Sequence, residues 1–346
     1  VSVQRKAASV QRKPSIRSRF IAESSRDIRD RYDLEKVAIG TGGYGFVYRA
    51  TCRDTKDVFA VKAVWKYKIK DMPDLEKEIE LTRMLDHPNV VRLFSTSQDE
   101  KQIYLVLELC EGGELFQKIV EAKKLAETQV ATIMKQILRS ICYLHGAGIV
   151  HRDLKPENFL FQSKGVPLEH NTLKLIDFGL SKFLAEGEVL ENLVGSAPYV
   201  APEVVARSSG RPCDLWSCGA IMYMMLSGAP PFTGMNDRQV FQKAKSEKPR
   251  LIGRLWEPVS EAAKDLIRRL LDADPASRIT AEHALESDWI KGESADKAAL
   301  DPEIVRNLHR FSSASRFKRT ALIAVAHQLR EDEVETLRAS FNAMDK

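Results

Sequence analysis

The hydrophobic pattern changes about a third of the way along the chain. From Tyr32 to about Phe94, short runs rich in β-branched and aromatic residues, such as Val58 to Val64, surround one stretch with helical spacing, Leu75 to Leu85. After a further predicted strand, Ile103 to Leu109, apolar residues recur every three or four positions from Val130 to Leu144. Such spacing marks one face of a long helix. The pattern predicts a small sheet with a helix packed on it, followed by a mainly helical part.

Two more helices are predicted in the second part. Leu215 to Leu226 is apolar nearly all round, as expected for a helix buried in a large domain, and Ala262 to Leu271 is amphipathic. Trp289 is the predicted last residue of this part, and a basic amphipathic segment, Leu308 to Leu329, follows a linker. We therefore expect an α+β fold with two lobes, a β-rich N-lobe over about 32–107, a mainly helical C-lobe over about 111–290, and a helical extension.

Composition narrows the class of protein. Of 346 residues, 44% are hydrophobic and 29% charged, which is typical of a globular protein and not of a disordered chain or a coiled coil. The longest apolar stretch, Ala220 to Leu226, is too short to span a bilayer, and no signal peptide is evident. The five cysteines form no Cys-x-x-Cys pair, so we expect reduced thiols, a cytoplasmic location and neither disulfides nor a Cys-based metal site.

The net charge of +5 lies almost entirely in the first residues. Residues 1–31 hold nine basic and three acidic side chains, so they carry +6 and the remaining 315 residues sum to −1. A nearly neutral body excludes a nucleic-acid-binding domain. The sequence predicts a disordered, basic, Ser-rich tail over 1–31. Two interpretations stay open: a solvated tail, or a regulatory arm that contacts a membrane surface, since Arg12 stands three residues before Ser15.

A glycine-rich run is the first chemical motif. The run Gly40–Thr41–Gly42–Gly43–Tyr44–Gly45–Phe46–Val47 can close backbone amides over phosphates, although a flexible hairpin would look the same. A dinucleotide-binding fold needs a helix after this run, whereas a strand continues here, which excludes that reading. Lys62 follows on a later strand, and Glu78 on the next helix can reach it. Without further motifs, a Lys/Glu pair would be read as a solvent-exposed ion pair that contributes little to stability.

A far more specific run follows the long helix. His151–Arg152–Asp153–Leu154–Lys155–Pro156–Glu157–Asn158 puts a candidate base, a cation and an amide ligand into one loop. Asp177–Phe178–Gly179 comes after a short predicted strand, Leu173 to Ile176, and Ala201–Pro202–Glu203 lies downstream. In this order the set resembles the protein-kinase signature, over roughly Tyr32 to Trp289.

The resemblance implies ATP and Mg²⁺ chemistry with defined roles. Asp153 would orient the substrate hydroxyl and accept its proton, Lys155 would neutralise the transferred phosphoryl group, and Glu78 would align Lys62 on the phosphates. Ser196 stands where kinases usually have threonine, with a hydroxyl able to bond Asp153 and Lys155. Asn158 and Asp177 are the implied Mg²⁺ ligands. The implied nucleotide site, with Leu107 as gatekeeper and Glu114 near the ribose, comprises Ile39, Gly40, Gly42, Gly45, Val47, Ala60, Lys62, Leu107, Glu108, Cys110, Glu114 and Leu160.

Further runs narrow the resemblance. Lys155 to Asn158 is of the serine/threonine type, Glu111 to Phe116 looks like the calmodulin-dependent group, and Asn307 to Leu322 resembles the junction of calcium-dependent protein kinases of plants and protists. Glu333 to Lys346 looks like the first helix of an EF-hand, with Asp345 at position 1 of its loop. A calmodulin-regulated kinase stays open as an alternative, because calmodulin also binds basic amphipathic helices, and a pseudokinase scaffold is a more remote one.

This resemblance implies a linker and autoinhibitory junction over 291–330 and a first EF-hand from 331, with Ca²⁺ bound only by residues beyond this chain. We expect basic substrates with upstream arginines, which Glu114 and Glu157 would receive. We also expect no need for activation-loop phosphorylation, since Glu186, Glu188 and Glu191 offer fixed negative charge to Arg152 and nearby basic residues. The 346-residue chain should be calcium-insensitive and less active than one ending near Gly292. The alternative is that the junction is disordered without the EF-hands and that the kinase is constitutively active. Ser287–Asp288–Trp289 and Pro198 depart from the family pattern.

Overall fold

The computed structural model describes residues 22–24, 27–42, 45–69, 71–185, 188–296 and 298–314. The N-lobe is built on a six-stranded sheet in the order β1-β5-β6-β4-β3-β2. These strands are β1 (Ala22–Ser24), β2 (Tyr32–Gly42), β3 (Gly45–Cys52), β4 (Val58–Trp65), β5 (Leu93–Gln98) and β6 (Gln102–Leu107). Strand β1 runs parallel to β5, whereas the other neighbours are antiparallel.

Two helices accompany this sheet, α1 (Ile28–Arg31) and α2 (Met72–Met84). Helix α2 begins three residues before the predicted Leu75, because Asp71 caps it by accepting a hydrogen bond from Asp74 N at 3.1 Å. The prediction of a disordered tail is wrong for its last residues, since Ala22–Ser24 form a strand and Ile28 is 3% exposed in the N-lobe core. Burial of this one apolar side chain fixes a segment whose basic composition suggested a tail.

The C-lobe is mainly helical, and the predicted α+β, two-lobed fold is confirmed. Its helices are α3 (Leu115–Ala122), α4 (Glu127–Gly146), α5 (Pro202–Val205), α6 (Pro212–Ser227), α7 (Asp237–Ser246), α8 (Glu261–Leu270), α9 (Ala281–Leu285), α10 (Asp288–Lys291) and α11 (302–314). Helix α6 is buried along its whole length after Pro212, as its apolar sequence predicted. Within the described ranges, no helix has the length and apolar character needed to cross a bilayer.

Short strands of the C-lobe form the floor beneath the N-lobe. They are β7 (Gly113–Glu114), β8 (Ile149–Val150), β9 (Phe159–Phe161), β10 (Leu173–Leu175) and β11 (Lys182–Phe183). They pair in the order β10-β9-β7 and as β11-β8. Strands β8 and β9 therefore bracket the loop that carries the run from His151 to Asn158 and hold both of its ends.

The C-lobe core extends beyond the predicted end at Trp289. Leu300, Ile304 and Leu308 belong to the same buried cluster, and Leu300 N donates to Leu125 O at 2.8 Å. Ile304, Leu308 and Phe311 are spaced four and three residues apart, so they share one face of α11. Sequence analysis began the amphipathic segment at Leu308, one turn too late.

The Ser287–Asp288–Trp289 departure is accommodated by local contacts. Ser287 caps α10, accepting a hydrogen bond from Ile290 N at 3.4 Å. Trp289 is buried, and its indole N–H donates to the carboxylate of Glu127, which is also wholly buried. That carboxylate accepts a second bond from Ser260 N at 3.0 Å, so α4, α8 and α10 meet at one satisfied buried charge.

Candidate active site

Asp153 lies at the centre of a polar cluster in the loop between β8 and β9. Its Oδ1 accepts a hydrogen bond from Ser196 Oγ at 3.3 Å, and its Oδ2 pairs with the Lys155 ammonium. Asn158 Nδ2 donates to the Asp153 carbonyl at 2.8 Å. The structure thus brings together four of the residues that the sequence proposed for chemistry: a carboxylate, a cation, a hydroxyl and an amide.

Asp214, in the first turn of α6, holds this loop from below. It is fully buried and accepts hydrogen bonds from His151 N at 2.9 Å and Arg152 N at 2.8 Å. The ring Nε2 of His145 lies 2.9 Å from Asp214 Oδ2. Burial alone would raise the pKa of Asp214, but the hydrogen bond and charge of His145, with the hydrogen bond from His151 N, outweigh burial and lower it. Asp214 therefore stays ionised and fixes two consecutive amides of the loop.

Sequence reasoning missed Asp214, although a signal was present. The only ionisable carboxylate of an otherwise apolar buried helix needs a partner, because an unpaired buried charge is strongly unfavourable. Arg152, next to it, has a φ of 70° and donates its Nε to Leu180 O at 2.8 Å. In the described part of the chain Arg152 bonds this carbonyl, while Glu188 accepts from Ala185 N at 2.9 Å. The expected acidic partner of Arg152 is not found there, and Glu186 lies outside the described residues.

Lys62 and Glu78 belong to the N-lobe, on β4 and α2, whereas the Asp153 loop belongs to the C-lobe. Lys62 Nζ lies 3.5 Å from Glu78 Oε1, and both side chains are mostly buried. Phe178 is buried, and its ring meets the His151 ring edge-on at 5.4 Å. The first contact joins β4 to α2, and the second joins the segment after β10 to the Asp153 loop.

The two proposed Mg²⁺ ligands are joined through the backbone. Ile176 N donates to Asn158 O at 2.9 Å, so the segment that leads to Asp177 adjoins the loop that carries Asn158. Because Asn158 uses its amide nitrogen on Asp153, its amide oxygen is the end left for a cation. Asp177 has a φ of 67°, and its Oδ1 accepts from Gly179 N at 3.3 Å. One carboxylate and one amide oxygen suit Mg²⁺, which takes its other ligands from phosphates and water.

No larger metal centre competes with that pair in the part of the chain that the structure describes. There, no group of three or more His, Cys, Asp or Glu side chains is placed to hold a metal ion. The five cysteines are all free thiols.

The proposed nucleotide site lies between the N-lobe sheet and strand β9. Strand pairing sets Ala60 opposite Leu107, while Leu160 pairs with both Glu114 and Lys174 on the floor. Ile39 is 51% exposed on β2, and Val47 pairs with Gly40. These positions place apolar side chains on both lobes, as a flat apolar base requires.

The glycines of the run between β2 and β3 are not equivalent. A Cβ on Gly45 would lie 1.8 Å from Ala63 O, so this glycine is needed for the close approach of β3 to β4. A Cβ on Gly40 would meet nothing closer than 3.7 Å. Gly42 ends β2, and Gly43–Tyr44 at the tip lie outside the described residues. The sequence predicted phosphate contact for all of them and missed the sheet-packing role of Gly45.

The segment that joins the lobes is held by a buried ion pair that the sequence did not predict. Lys174 Nζ lies 2.8 Å from Glu108 Oε1, and Gln162 Nε2 donates to the same oxygen at 2.8 Å. The side chains of Lys174 and Glu108 are 9% and 17% exposed. Burial, and then the Glu108 charge, raise the pKa of the nearby Cys110 thiol to about 12. Cys110 is therefore protonated and unreactive near neutral pH.

Glu114 and Glu157 line one small cleft on the C-lobe. Two residues of α11, Phe311 and Ser312, line the same cleft. Its lining is completed by Phe116, Pro156 and Tyr199. Helix α11 therefore forms part of the wall of the cleft that also holds the two glutamates which the sequence assigned to substrate arginines.

Glu203 and Arg278 form a buried ion pair in the C-lobe. Arg278 Nη2 donates to Glu203 Oε2 at 2.9 Å, and the Arg278 guanidinium lies over the Trp216 ring at 5.3 Å. Both charged residues are buried, so the pair ties α5 to the segment before α9 without facing the cleft.

Comparison with known proteins agrees with this geometry. A family model described as protein kinase domain matches residues 34–290. The chain belongs to the protein kinase family. The kinase is 40% identical over 330 residues to calcium-dependent protein kinase 21 of Arabidopsis thaliana, which covers 94% of this chain and 61% of the relative.

Other relatives carry the same family name. Identity is 37% over 331 residues to calcium-dependent protein kinase 3 of Plasmodium yoelii yoelii, covering 94% of this chain and 61% of the relative. It is 40% over 326 residues to calcium-dependent protein kinase 12 of Arabidopsis thaliana, covering 93% and 66%. The predicted resemblance to calcium-dependent protein kinases is confirmed. The kinase spans about three-fifths of the length of these relatives. The part of the predicted junction after residue 314 and the predicted EF-hand helix lie outside the described residues.

Proposed function

We propose that this protein transfers the γ-phosphate of ATP to serine or threonine hydroxyls of basic proteins. The observation that carries the proposal is the cluster at Asp153, whose carboxylate contacts Ser196 and Lys155 while the loop amides bond Asp214. Phosphoryl transfer needs positioning and charge neutralisation more than covalent help. A rigid loop with a base and a cation two residues apart supplies both.

The residues divide the work by position. Asp153 Oδ1, which now accepts from Ser196, is the atom that would orient the acceptor hydroxyl and take its proton. Lys155 neutralises negative charge on the transferred group, and Glu78 holds Lys62 for the same purpose on the nucleotide side. Asn158 and Asp177 would hold Mg²⁺, which supplies electrostatic stabilisation of the phosphates when bound.

Substitution of the proposed base tests this function. Asp153→Asn keeps the size of the side chain and should lower the rate of peptide phosphorylation by about 10²- to 10⁴-fold. The assay compares serine, threonine and tyrosine peptides with and without upstream arginine, and nucleotide binding is followed by thermal shift with Mg-ATP. Asp265→Asn is the matched control, because Asp265 is exposed on α8.

We expect the Asp153→Asn protein to keep its Mg-ATP shift, and the unmodified protein to prefer serine or threonine after arginine. A variant with full activity would exclude Asp153 as the base. Preference for tyrosine, or indifference to arginine, would exclude the proposed substrate class.

The arginine preference is proposed from the cleft that Glu114 and Glu157 line. A carboxylate bound to a guanidinium forms a charge-assisted hydrogen bond, which is stronger and more directional than a neutral one. Phe311 and Ser312 of α11 line this cleft, and the described sequence from 304 to 314 contains arginines and no acidic residue. We therefore propose that α11 and the junction after it compete with substrate and inhibit the enzyme.

The names of the relatives state that those proteins depend on calcium. We propose the same control for the protein that contains this chain, with calcium acting by withdrawing the junction from the cleft. Five free thiols also support a cytoplasmic location, because such compartments keep cysteines reduced.

A further inference from the structure

An ion pair joins the two lobes beside the segment that connects them. Arg49 lies on β3 of the N-lobe, and its Nε is 3.3 Å from Glu111 Oε1. Glu111 is attached to the C-lobe, because its backbone N–H donates to Gln162 O at 3.0 Å. Three residues earlier, Glu108 N donates at 2.9 Å to the carbonyl of Arg92, just before β5 of the N-lobe. The chain therefore passes from one lobe to the other between Glu108 and Glu111, and the ion pair spans that passage.

Strand register places Arg49 on the nucleotide side of the N-lobe sheet. Arg49 pairs with Ala60, and Val47, two residues earlier, pairs with Lys62. Residues two apart on a strand share a face, and so do residues directly opposite each other on neighbouring strands. Arg49 therefore lies on the same face as these three residues, all of which belong to the proposed nucleotide site. The ion pair with Glu111 is thus on the cleft side of the sheet.

Arg49 is held from both lobes. Its Nη1 lies 3.2 Å from Glu35 Oε1, so the guanidinium bridges a carboxylate on β2 of its own lobe and the Glu111 carboxylate of the other. The Nε atom that faces Glu111 is buried, although the Arg49 side chain as a whole is 37% exposed and that of Glu111 49%. Water therefore screens the contact between the lobes only in part.

We propose that Arg49 and Glu111 form a clasp between the lobes, which favours the closed cleft and so retains the nucleotide. An ion pair across two lobes is made at one separation and lost when the lobes move apart, so it stabilises the closed state alone. A nucleotide that contacts both lobes binds the closed state more tightly, and its apparent affinity falls when the closed fraction falls. Arg49 and Glu111 are positioning residues in this role, and the proposal rests on the nucleotide binding proposed above.

A direct effect of the two charges on the nucleotide would differ in sign. If each side chain acted only through its own field on the negative phosphates, loss of the Arg49 cation would weaken nucleotide binding, whereas loss of the Glu111 anion would strengthen it. A clasp needs both charges, so neutralisation of either residue weakens binding to the same extent. The direction of the Glu111 effect therefore separates the two explanations.

Isothermal titration calorimetry with Mg-ADP measures the Kd of the 346-residue chain and its variants. Glu111→Gln and Arg49→Gln should each raise Kd about three- to fivefold, the effect of an ion pair that is partly shielded from water. The double variant should bind no more weakly than either single variant, because the second substitution has no ion pair left to break. Asp33→Asn is the matched control, since it removes an exposed 2.7 Å ion pair to Arg53 that stays within the N-lobe. It should leave Kd unchanged.

A peptide phosphorylation assay shows whether the clasp acts on nucleotide retention or on chemistry. In Glu111→Gln the KM for ATP should rise with the Kd, whereas kcat should not fall, because Asp153 and Lys62 keep their own contacts. The fold should stay stable, since Arg49 keeps Glu35 as a partner. In about 0.5 M KCl the difference in Kd between this variant and the unmodified chain should narrow, because salt screens the ion pair.

A Glu111→Gln protein that binds Mg-ADP as tightly as the unmodified chain, or more tightly, would overturn the clasp. Additive losses in the double variant, or a lower kcat at an unchanged KM for ATP, would also overturn it. Failure of the unmodified chain to bind Mg-ADP would instead refute the proposed nucleotide site, and the clasp with it.

Discussion

At the scale of single residues, His151 shows how burial sets a protonation state beside the proposed base. Its ring is buried, its Nδ1 accepts a hydrogen bond from Asp153 N at 3.3 Å, and it meets the Phe178 ring. Burial lowers the pKa of His151, and it prevails over the carboxylates of Asp214, Asp177 and Asp153, which act in the opposite direction. His151 is therefore neutral in the folded protein.

A neutral buried histidine predicts a defined pH dependence of stability. Because the folded pKa is below the unfolded value of about 6.5, the unfolded chain binds the extra proton first. The contribution is fully present above about pH 6.5 and is lost as pH falls toward the folded pKa, by up to about 1.4 kcal/mol per pH unit. Urea unfolding between pH 7.5 and 5.5 should show a shallower pH dependence for His151→Phe. An unchanged slope would mean that His151 binds its proton as readily in the fold as in the unfolded chain.

The site residues that could be predicted from the sequence are those that stand together in one short, recognisable run. Asp153, Lys155 and Asn158 lie within six consecutive positions, so sequence alone places them in one loop. Asp214 lies 62 positions after Arg152, and only the fold brings it under that loop. The Lys174–Glu108 pair likewise joins a residue of β10 to one in the segment after β6 and leaves no local pattern.

At the scale of elements, strand β10 supports the lobe-connecting segment through Lys174. The ion pair to Glu108 is buried, and Gln162 from just after β9 shares the same carboxylate oxygen. Asn89, in the loop after α2, donates to Leu173 O at 2.9 Å. Strand β10 thus contacts the connection between the lobes through Glu108 and the loop after α2 through Asn89, and the network should behave as a unit.

Removal of one charge from this pair should cost more than removal of both. Lys174→Met leaves the Glu108 carboxylate buried without its cation, which we expect to destabilise the fold by about 3 kcal/mol, the lower end of the range because Gln162 still donates. The double variant Glu108→Gln/Lys174→Met should recover most of the loss. Urea unfolding of the single and double variants measures the coupling. Additive losses would show that the two charges act independently.

Element boundaries were predictable where burial and local chemistry agree. The predicted bounds of α6 lie within three residues of the observed ones at each end. A helix that is apolar on all sides can only be buried on all sides, so its apolar run marks its length. The start of α2 differs from the prediction, because apolar spacing begins only at Leu75, whereas Asp71 and Pro73, which are helix-start signals, stand before it. The predicted start of α11, Leu308, is too late for a different reason. Ile304 and Val305 belong to its apolar face only because they pack on the C-lobe core, which the local sequence does not show.

At the scale of the whole molecule, α11 combines two properties. Its apolar face completes the C-lobe core, where a Cβ on Gly228 would lie 2.7 Å from Asn307 Cβ, so the contact is close. Yet it is attached after all the other described elements and by one face only, so it can leave without breaking the sheets or α6. A segment of this kind is expected to open in a local transition of lower free energy than global unfolding.

Leu308→Ala distinguishes local opening from global unfolding. Leu308 is fully buried, so truncation should lower the free energy of α11 docking by about 2–5 kcal/mol. We expect amide exchange of 302–314 to report this whole loss, and urea unfolding followed by tryptophan fluorescence to report clearly less, because Trp216, Trp256 and Trp289 are buried in the C-lobe body. Arg310→Ala, exposed on the same helix, should change neither by more than about 0.5 kcal/mol. Equal losses by both methods would show that α11 unfolds with the body, and a helix so bound could not serve as the releasable inhibitor proposed above.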